Sequence, residues 1–201
     1  MIVQRCPWSE KEFSGTGYHD TEWGVPVHDD LRLFEFMVLE AAQTGLSWNT
    51  ILRKREGYRA CFAGFDPEKV ARFTEKDADR LVLDASIVRH RKKIESAINN
   101  ARRFLLVAEK HGSFCAWFWR FTDGKPICNA WKEAAEAPAS TPLSAAIAKE
   151  LKIQGFSFLG PTVVYAYMQA VGMVNDHLVS CYRHKEVQEL AAACRSGNKG
   201  R

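Results

Sequence analysis

Apolar residues recur along this chain at three- and four-residue steps in segment after segment, and no stretch keeps the strict two-residue alternation of a half-buried strand; the pattern predicts an all-α fold. In residues 31–48, LRLFEFMVLEAAQTGLSW, the side chains of Phe34, Met37, Val38, Ala41 and Ala42 share helical spacing, Asp29 or Asp30 can cap the start, and Gly45 can end the helix. Ser47 can cap a short segment carrying Arg53, Lys54 and Arg55 that stops at Gly57. Asp66 before Pro67 is a cap with proline in the first turn, and Thr74 with Asp77 makes a capping box ahead of a segment ending near Asp84. A long helix is expected over residues 87–111, with Ile94, Ile98, Ala101, Leu105 and Ala108 on one face and Gly112 as terminator, and Ser113 begins another around Trp117 and Phe118. Residues 123–141 hold the turn signal Asp123-Gly124 and helix-breaking prolines, so they form a long connection. Residues 1–195 are expected to make a single globular all-α domain, as one body or as two helical lobes with a pocket between them. Residues 196–201 are expected to be a disordered tail.

Within the 31–48 helix, Glu40 is out of keeping with its surroundings. Between Phe36 and Leu52 it is the only charged side chain. A helix that is apolar nearly all round is normally buried, and a carboxylate carried inside costs several kcal/mol unless it is paired, protonated or facing a polar cavity. A lone Glu on a helix is more commonly solvated, but its neighbours Leu39 and Ala41 do not suit that reading, and Glu40 becomes a candidate site residue.

The chain has 201 residues, 46% of them hydrophobic and 26% charged, which excludes disordered and fibrous classes and suffices for one sizeable core. No run of about 18 apolar residues suggests a membrane span. The start, MIVQRCPWSE, lacks the basic and apolar regions of a signal peptide, so a cytoplasmic protein is expected. A net charge of +4 permits a nucleic-acid partner without requiring one. Arg53-Lys54-Arg55 and Arg89-His90-Arg91-Lys92-Lys93 could contact phosphates, although either is also ordinary as a solvated helix face.

Six cysteines, at 6, 61, 115, 128, 181 and 194, form no C-x-x-C pair, and most are expected to be small core residues. His177 and Cys181 differ. They stand four apart in NDHLVSC, where Asn175 or Asp176 can cap a helix, so both would emerge on one face a single turn apart. Such a pair often arises incidentally. Together with Cys6 and His19, however, it could complete a tetrahedral Cys2His2 zinc site that clips the N-terminal segment to the C-terminal helix, and four protein ligands would make it structural.

In TPLSAAIAKELKIQGFSFLGPTVVYAYMQAVG, a helix ending near Gly155 passes through a tight turn with Gly160 into another helix over residues 161–170. This is either a plain αα-hairpin or a helix-hairpin-helix, whose turn amides and second-helix N-terminus, around Gly155, Gly160 and Thr162, would offer unpaired N–H donors to a phosphate.

Taken together, YHDTEWGVP at 18–26, LEAAQTGLSW at 39–48, RHRKKI at 89–94, GFSFLGPTVVYAYMQAVGMVNDH at 155–177 and Cys6 resemble the 3-methyladenine DNA glycosylase I family over nearly the whole chain. The resemblance implies a helix-hairpin-helix base-excision repair enzyme acting as a monomer on alkylated double-stranded DNA, with a structural zinc on Cys6, His19, His177 and Cys181. It implies that Glu40 meets the extruded base, that Tyr18 and Trp48 stack on it, and that Gly45 and Leu46 enter the duplex in its place. It also implies that the catalytic Asp of other helix-hairpin-helix glycosylases is absent. The family pattern has an aromatic residue three positions before the Tyr of YHD; here that position is Gly15, and Phe13 is the candidate to replace it.

Overall fold

The computed structural model describes residues 3–10 and 13–197. Among the described residues the helices are α1 (Phe13–Thr21), α2 (Asp30–Gln43), α3 (Trp48–Cys61), α4 (Pro67–Ala71), α5 (Glu75–Leu81), α6 (Arg91–His111), α7 (Phe114–Trp119), α8 (Pro142–Ile153), α9 (Pro161–Ala170) and α10 (Tyr182–Gly197). Two-residue strands, β1 (Ile127–Cys128) and β2 (Val174–Asn175), pair in parallel with Ile127 opposite Val174, so the expected all-helical chain carries one short bridge. It ties the long 123–141 connection to the stretch after α9. The last helix includes Ser196 and Gly197; residues 198–201 of the expected tail and the Phe13 side chain lie outside the described residues.

The centre is α2. Asp29 starts it by accepting the Arg32 N–H at 2.9 Å, and every residue from Leu33 to Ala42 is buried, as an all-round apolar helix requires. It packs against α3, α6, α7 and α9, and the Tyr167 hydroxyl of α9 donates to its Leu33 carbonyl at 3.0 Å. Its second buried carboxylate, Glu35, is heavily paired: Arg32, Arg55 (2.9 Å) and Arg59 (2.7 Å) all donate to it, and Arg55 and Arg32 also hold Glu22. Arg55 is therefore drawn inward to a carboxylate cluster and belongs to neither of the readings given to its basic run, phosphate contact or solvated face.

Several boundaries shift for physical reasons. Ser47 caps α3 as expected, but the helix continues past Gly57 to Cys61. Gly57 is there for space: a Cβ at this position would come within 2.4 Å of the Ser86 carbonyl, and Lys54 holds the same loop by donating to Ala85 O at 2.6 Å. On α6 the deeply buried face continues through Phe104 and Val107, not Leu105 and Ala108. His177 and Cys181 do not lie on a helix; they sit in the loop between β2 and α10, where Asn175 Oδ1 accepts the His177 N–H at 3.2 Å while the Asn175 backbone pairs in the bridge, and the next helix begins only at Tyr182. Among the described residues no helix is long and apolar enough to cross a membrane.

Candidate functional site

Two features built from the same short elements meet near the end of α1. The first is a cavity of about 360 Å³ between α1, α2, the start of α3, α9 and the 129–137 connection. Consecutive turns of α2 present Glu40 and Gln43 to it, α3 begins at its rim with Trp48, and α1 contributes Tyr18. Glu40 is 4% exposed, and burial alone pushes its carboxyl up to about 8. Glu35, one and a half turns earlier on the same helix, has three arginines; Glu40 has none among the described residues. Burial without a cationic partner thus favours the protonated form of Glu40.

The aromatic walls are Tyr18 and Trp48, whose ring centres stand 5.3 Å apart at 52°. They touch one another, so they form a V and leave no slot for a third ring between them; a flat ligand would lie on one face with its edge against the other. Trp8 closes the side beside Tyr18, at 6.4 Å, and packs edge-on to Trp23 at 5.0 Å. The Tyr18 hydroxyl and the Trp48 indole N–H are buried with no hydrogen-bond partner among the described residues. Each such donor costs about 1–3 kcal/mol until an acceptor arrives. Burial, then the nearby Glu40 carboxylate, holds the Tyr18 phenol well above its ordinary range, so it stays a donor.

Sequence reasoning missed Trp8, Trp23, Gln43, Gln169 and Asp176 in this wall. Asp176 is 5% exposed and accepts from Asn129 (2.7 Å), Trp131 (2.8 Å), Tyr165 (2.6 Å) and Gln169 (2.7 Å), which pins the 129–137 connection to α9 across the cavity. Nothing in a one-dimensional pattern brings those four donors together. Trp8, two residues from Cys6, carried a usable hint. At Gly15 a Cβ would lie 3.1 Å from the Ser9 carbonyl, and Trp8 supplies the neighbouring wall.

The second feature shares that wall. The ligand atoms of Cys6, His19, His177 and Cys181 all lie within 4.8 Å of one another, and all four residues are buried. Cys6 Sγ stands 3.7 Å from His177 Nδ1, and Cys181 Sγ is 3.5 Å from His19 Nε2 and 3.7 Å from His177 Nδ1. The outward nitrogens are fixed as well: His19 Nδ1 pairs with Asp20 at 2.8 Å, and His177 Nε2 with the Trp23 carbonyl at 3.0 Å. The Leu178 N–H donates to Cys6 Sγ. The Cys6 thiol beside it, against burial, pushes the Cys181 thiol well down, and the two imidazoles add to this. The four residues can hold a metal ion.

Of the remaining predicted site residues, Gly45 (φ +80°) and the 37% exposed Leu46 form the turn between α2 and α3, directly after Gln43. Gly155 (φ +87°) and Gly160 bound the turn between α8 and α9; Gly160 is the N-cap of α9, without a side-chain cap, and Thr162 is exposed in the first turn.

Fold and site together define a helical protein with a buried acid in a cavity walled by aromatic rings. The sequence model of the methyladenine glycosylase family matches residues 8–184, and the chain belongs to that family. It is 48% identical over 179 residues to the DNA-3-methyladenine glycosylase 1 of Escherichia coli (strain K12), covering 89% of this chain and 96% of that protein. A crystal structure of a 3-methyladenine DNA glycosylase I superposes with a TM-score of 0.85 at 48% identity, covering 89% of this chain and 98% of that one. A Tyr-to-Phe variant of a 3-methyladenine DNA glycosylase I, crystallised with 3-methyladenine, matches with a TM-score of 0.86 at 38% identity, covering 89% and 96%.

Proposed function

We propose that this chain is a monomeric DNA repair glycosylase, working in the cytoplasm, that turns N3-methylated adenine out of alkylated duplex DNA and hydrolyses its N-glycosidic bond, leaving an abasic site. The observation that carries the reading is Glu40, a carboxylate buried without a cationic partner in an aromatic cavity. Family membership agrees with it.

N3-methylation makes the adenine ring cationic, which weakens its bond to the sugar and makes it a good leaving group. Ionised Glu40 would pair with that cation and accept a hydrogen bond from the exocyclic amino group, a donor guanine lacks at the matching position. Stacking on one of the two rings, Tyr18 or Trp48, with the other against the base's edge, would return about 1–3 kcal/mol of the few kcal/mol spent on extruding the base. As the C1′–N9 bond breaks, its electron pair leaves with the base and neutralises the ring. Positive charge grows on the sugar, the fixed negative charge of Glu40 favours that distribution, and water adds at C1′ while its proton passes to solvent. With no lysine among the described residues lining the cavity to form a Schiff base, the reaction would stop at the abasic site.

Around the pocket, Gly45 and Leu46 would enter the duplex where the base had been. The α8–α9 hairpin would act as a helix-hairpin-helix, its Gly155–Gly160 turn and the uncapped amides at Thr162 taking a phosphate. Cys6, His19, His177 and Cys181 suit zinc: zinc–sulfur bonds near 2.3 Å and zinc–nitrogen bonds of 2.0–2.1 Å put tetrahedral ligand atoms about 3.3–3.8 Å apart, and both imidazoles have outer partners. With four protein ligands the ion would hold the fold and supply no chemistry.

Incubating the protein with methylated duplex DNA and identifying the released bases tests the reading. Free 3-methyladenine and an intact but abasic strand are expected, with Glu40→Gln slowed at least about a hundredfold by loss of the charge. Binding without base release, a nicked strand, or an unimpaired Glu40→Gln enzyme would each overturn it.

A further inference from the structure

Two turns that the proposed function sets against DNA hang from one helix. On α6, Lys93, Ser96 and Asn100 stand at i, i+3 and i+7, one face across two turns or roughly 10 Å. At one end, Lys93 Nζ donates to the carbonyls of Ala42 (2.8 Å) and Thr44 (2.6 Å), acceptors left open where α2 stops. Gly45 and Leu46 follow at once, and Leu46 is held from the cavity side too: its N–H meets Gln43 O at 2.7 Å and its carbonyl accepts from Gln43 Nε2 at 3.2 Å. At the other end, Asn100 exchanges two 2.9 Å bonds with the backbone of Ser157 in the α8–α9 turn, Ser96 adds a third at 3.3 Å, and Asn99 donates to Gly155 O at 2.9 Å.

The basic run containing Lys93 invites the reading that all its members face phosphate. Arg89 and Lys92 are exposed, whereas Lys93 is half-buried with its ammonium between two carbonyls. We propose that Lys93 is a positioning residue and not a phosphate ligand: through α6 it fixes the Gly45–Leu46 turn at a set separation from the hairpin turn, so that insertion into the duplex and capture of the neighbouring backbone occur in one pose. This rests on the DNA-glycosylase reading above. A turn already fixed in its bound position spares the ordering cost of binding, and its loss weakens the complex without removing any contact to DNA. The helix C-terminus is also electronegative, so an ammonium is the cap the site favours.

The test uses the full chain, a duplex carrying a stable tetrahydrofuran abasic analogue, and free 3-methyladenine followed by tryptophan quenching. For Lys93→Met, duplex affinity should fall about tenfold through lost pre-organisation. Free-base affinity should stay within about twofold, since Lys93 is outside the pocket, and the slope of log K against log salt should be unchanged. Lys93→Arg, which keeps a charge and several donors, should recover most of the loss, and its recovery separates positioning from misfolding. A salt slope smaller by about one would make Lys93 a phosphate ligand and overturn the proposal. Unchanged duplex affinity in Lys93→Met would overturn it as well, provided Leu46→Ala weakens binding; if neither variant weakens it, the insertion reading beneath has failed instead.

Discussion

Glu35 and Glu40 occupy the same buried helix and show how a carboxylate is made structural or available. Glu35 meets three guanidinium groups; Glu40 meets apolar atoms and a cavity, and burial lifts it from its ordinary 4.5 to about 8. If the ionised form receives the cationic lesion, kcat/KM should climb about tenfold per pH unit below about 8 and level off above it, and Glu40→Gln should flatten that limb. A pH-independent wild type would refute the assignment. Stability should run the other way. An acid whose folded pKa is raised binds more protons folded than unfolded, so stability is undiminished below pH 4.5, falls between 4.5 and 8, and is constant beyond. Thermal melts of Glu40→Gln should match wild type near pH 4 and show a gain near pH 7 with an upper bound of about 3 kcal/mol. Equal melting shifts at both pH values would contradict this. Glu40 was legible because its oddness is local, one charge in a long apolar run. Arg55 was not: three adjacent cations look like a surface, and only the approach of α1 and α2 reveals the carboxylates that draw it inward.

At the scale of elements, caps were readable and crowding was not. Asp29, Ser47, Asp66, Ser113 and the Thr74–Asp77 pair start their helices as expected because capping uses residues two or three apart. Gly57 misled for the same reason that glycine usually ends helices. It lies inside α3 because the Ser86 carbonyl approaches to within 2.4 Å of where a Cβ would sit. Helix propensity alone makes Gly57→Ala stabilising by about 1 kcal/mol. The obstructing atom is backbone that Lys54 holds in place, so overpacking of about 1–3 kcal/mol should win. We expect a net loss and a Tm lower by about 2–8 °C. A higher Tm would show that the 84–86 loop gives way freely. His177 and Cys181 teach the complementary lesson. Their pairing was right and its cause wrong, since a loop brings them together after β2.

Across the whole molecule, the Cys2His2 cluster joins parts of the chain that sequence separates by 162 and 171 positions. A metal held there would close so long a loop and restrict the unfolded chain by about 5 kcal/mol if it acts as a disulfide would, and ion binding would add its own folding energy. The cluster also stands behind the pocket: Tyr18 and His19 are consecutive on α1, and Trp8 and Trp23 pack on the imidazoles of His19 (5.5 Å) and His177 (4.6 Å) while lining the cavity. If the cluster holds zinc, as proposed, losing the ion should act twice. Cys181→Ala, or prolonged chelation, should release about one zinc per chain and lower Tm by about 10 °C. Free 3-methyladenine should then bind more weakly, because the wall formed by Trp8, Trp23 and Tyr18 loses its backing. If zinc content is equal in wild type and Cys181→Ala, Cys181 is not a ligand. If zinc leaves while both Tm and base affinity hold, the clip is dispensable, and the side-chain packing around Trp8 and Trp23 joins the two ends by itself.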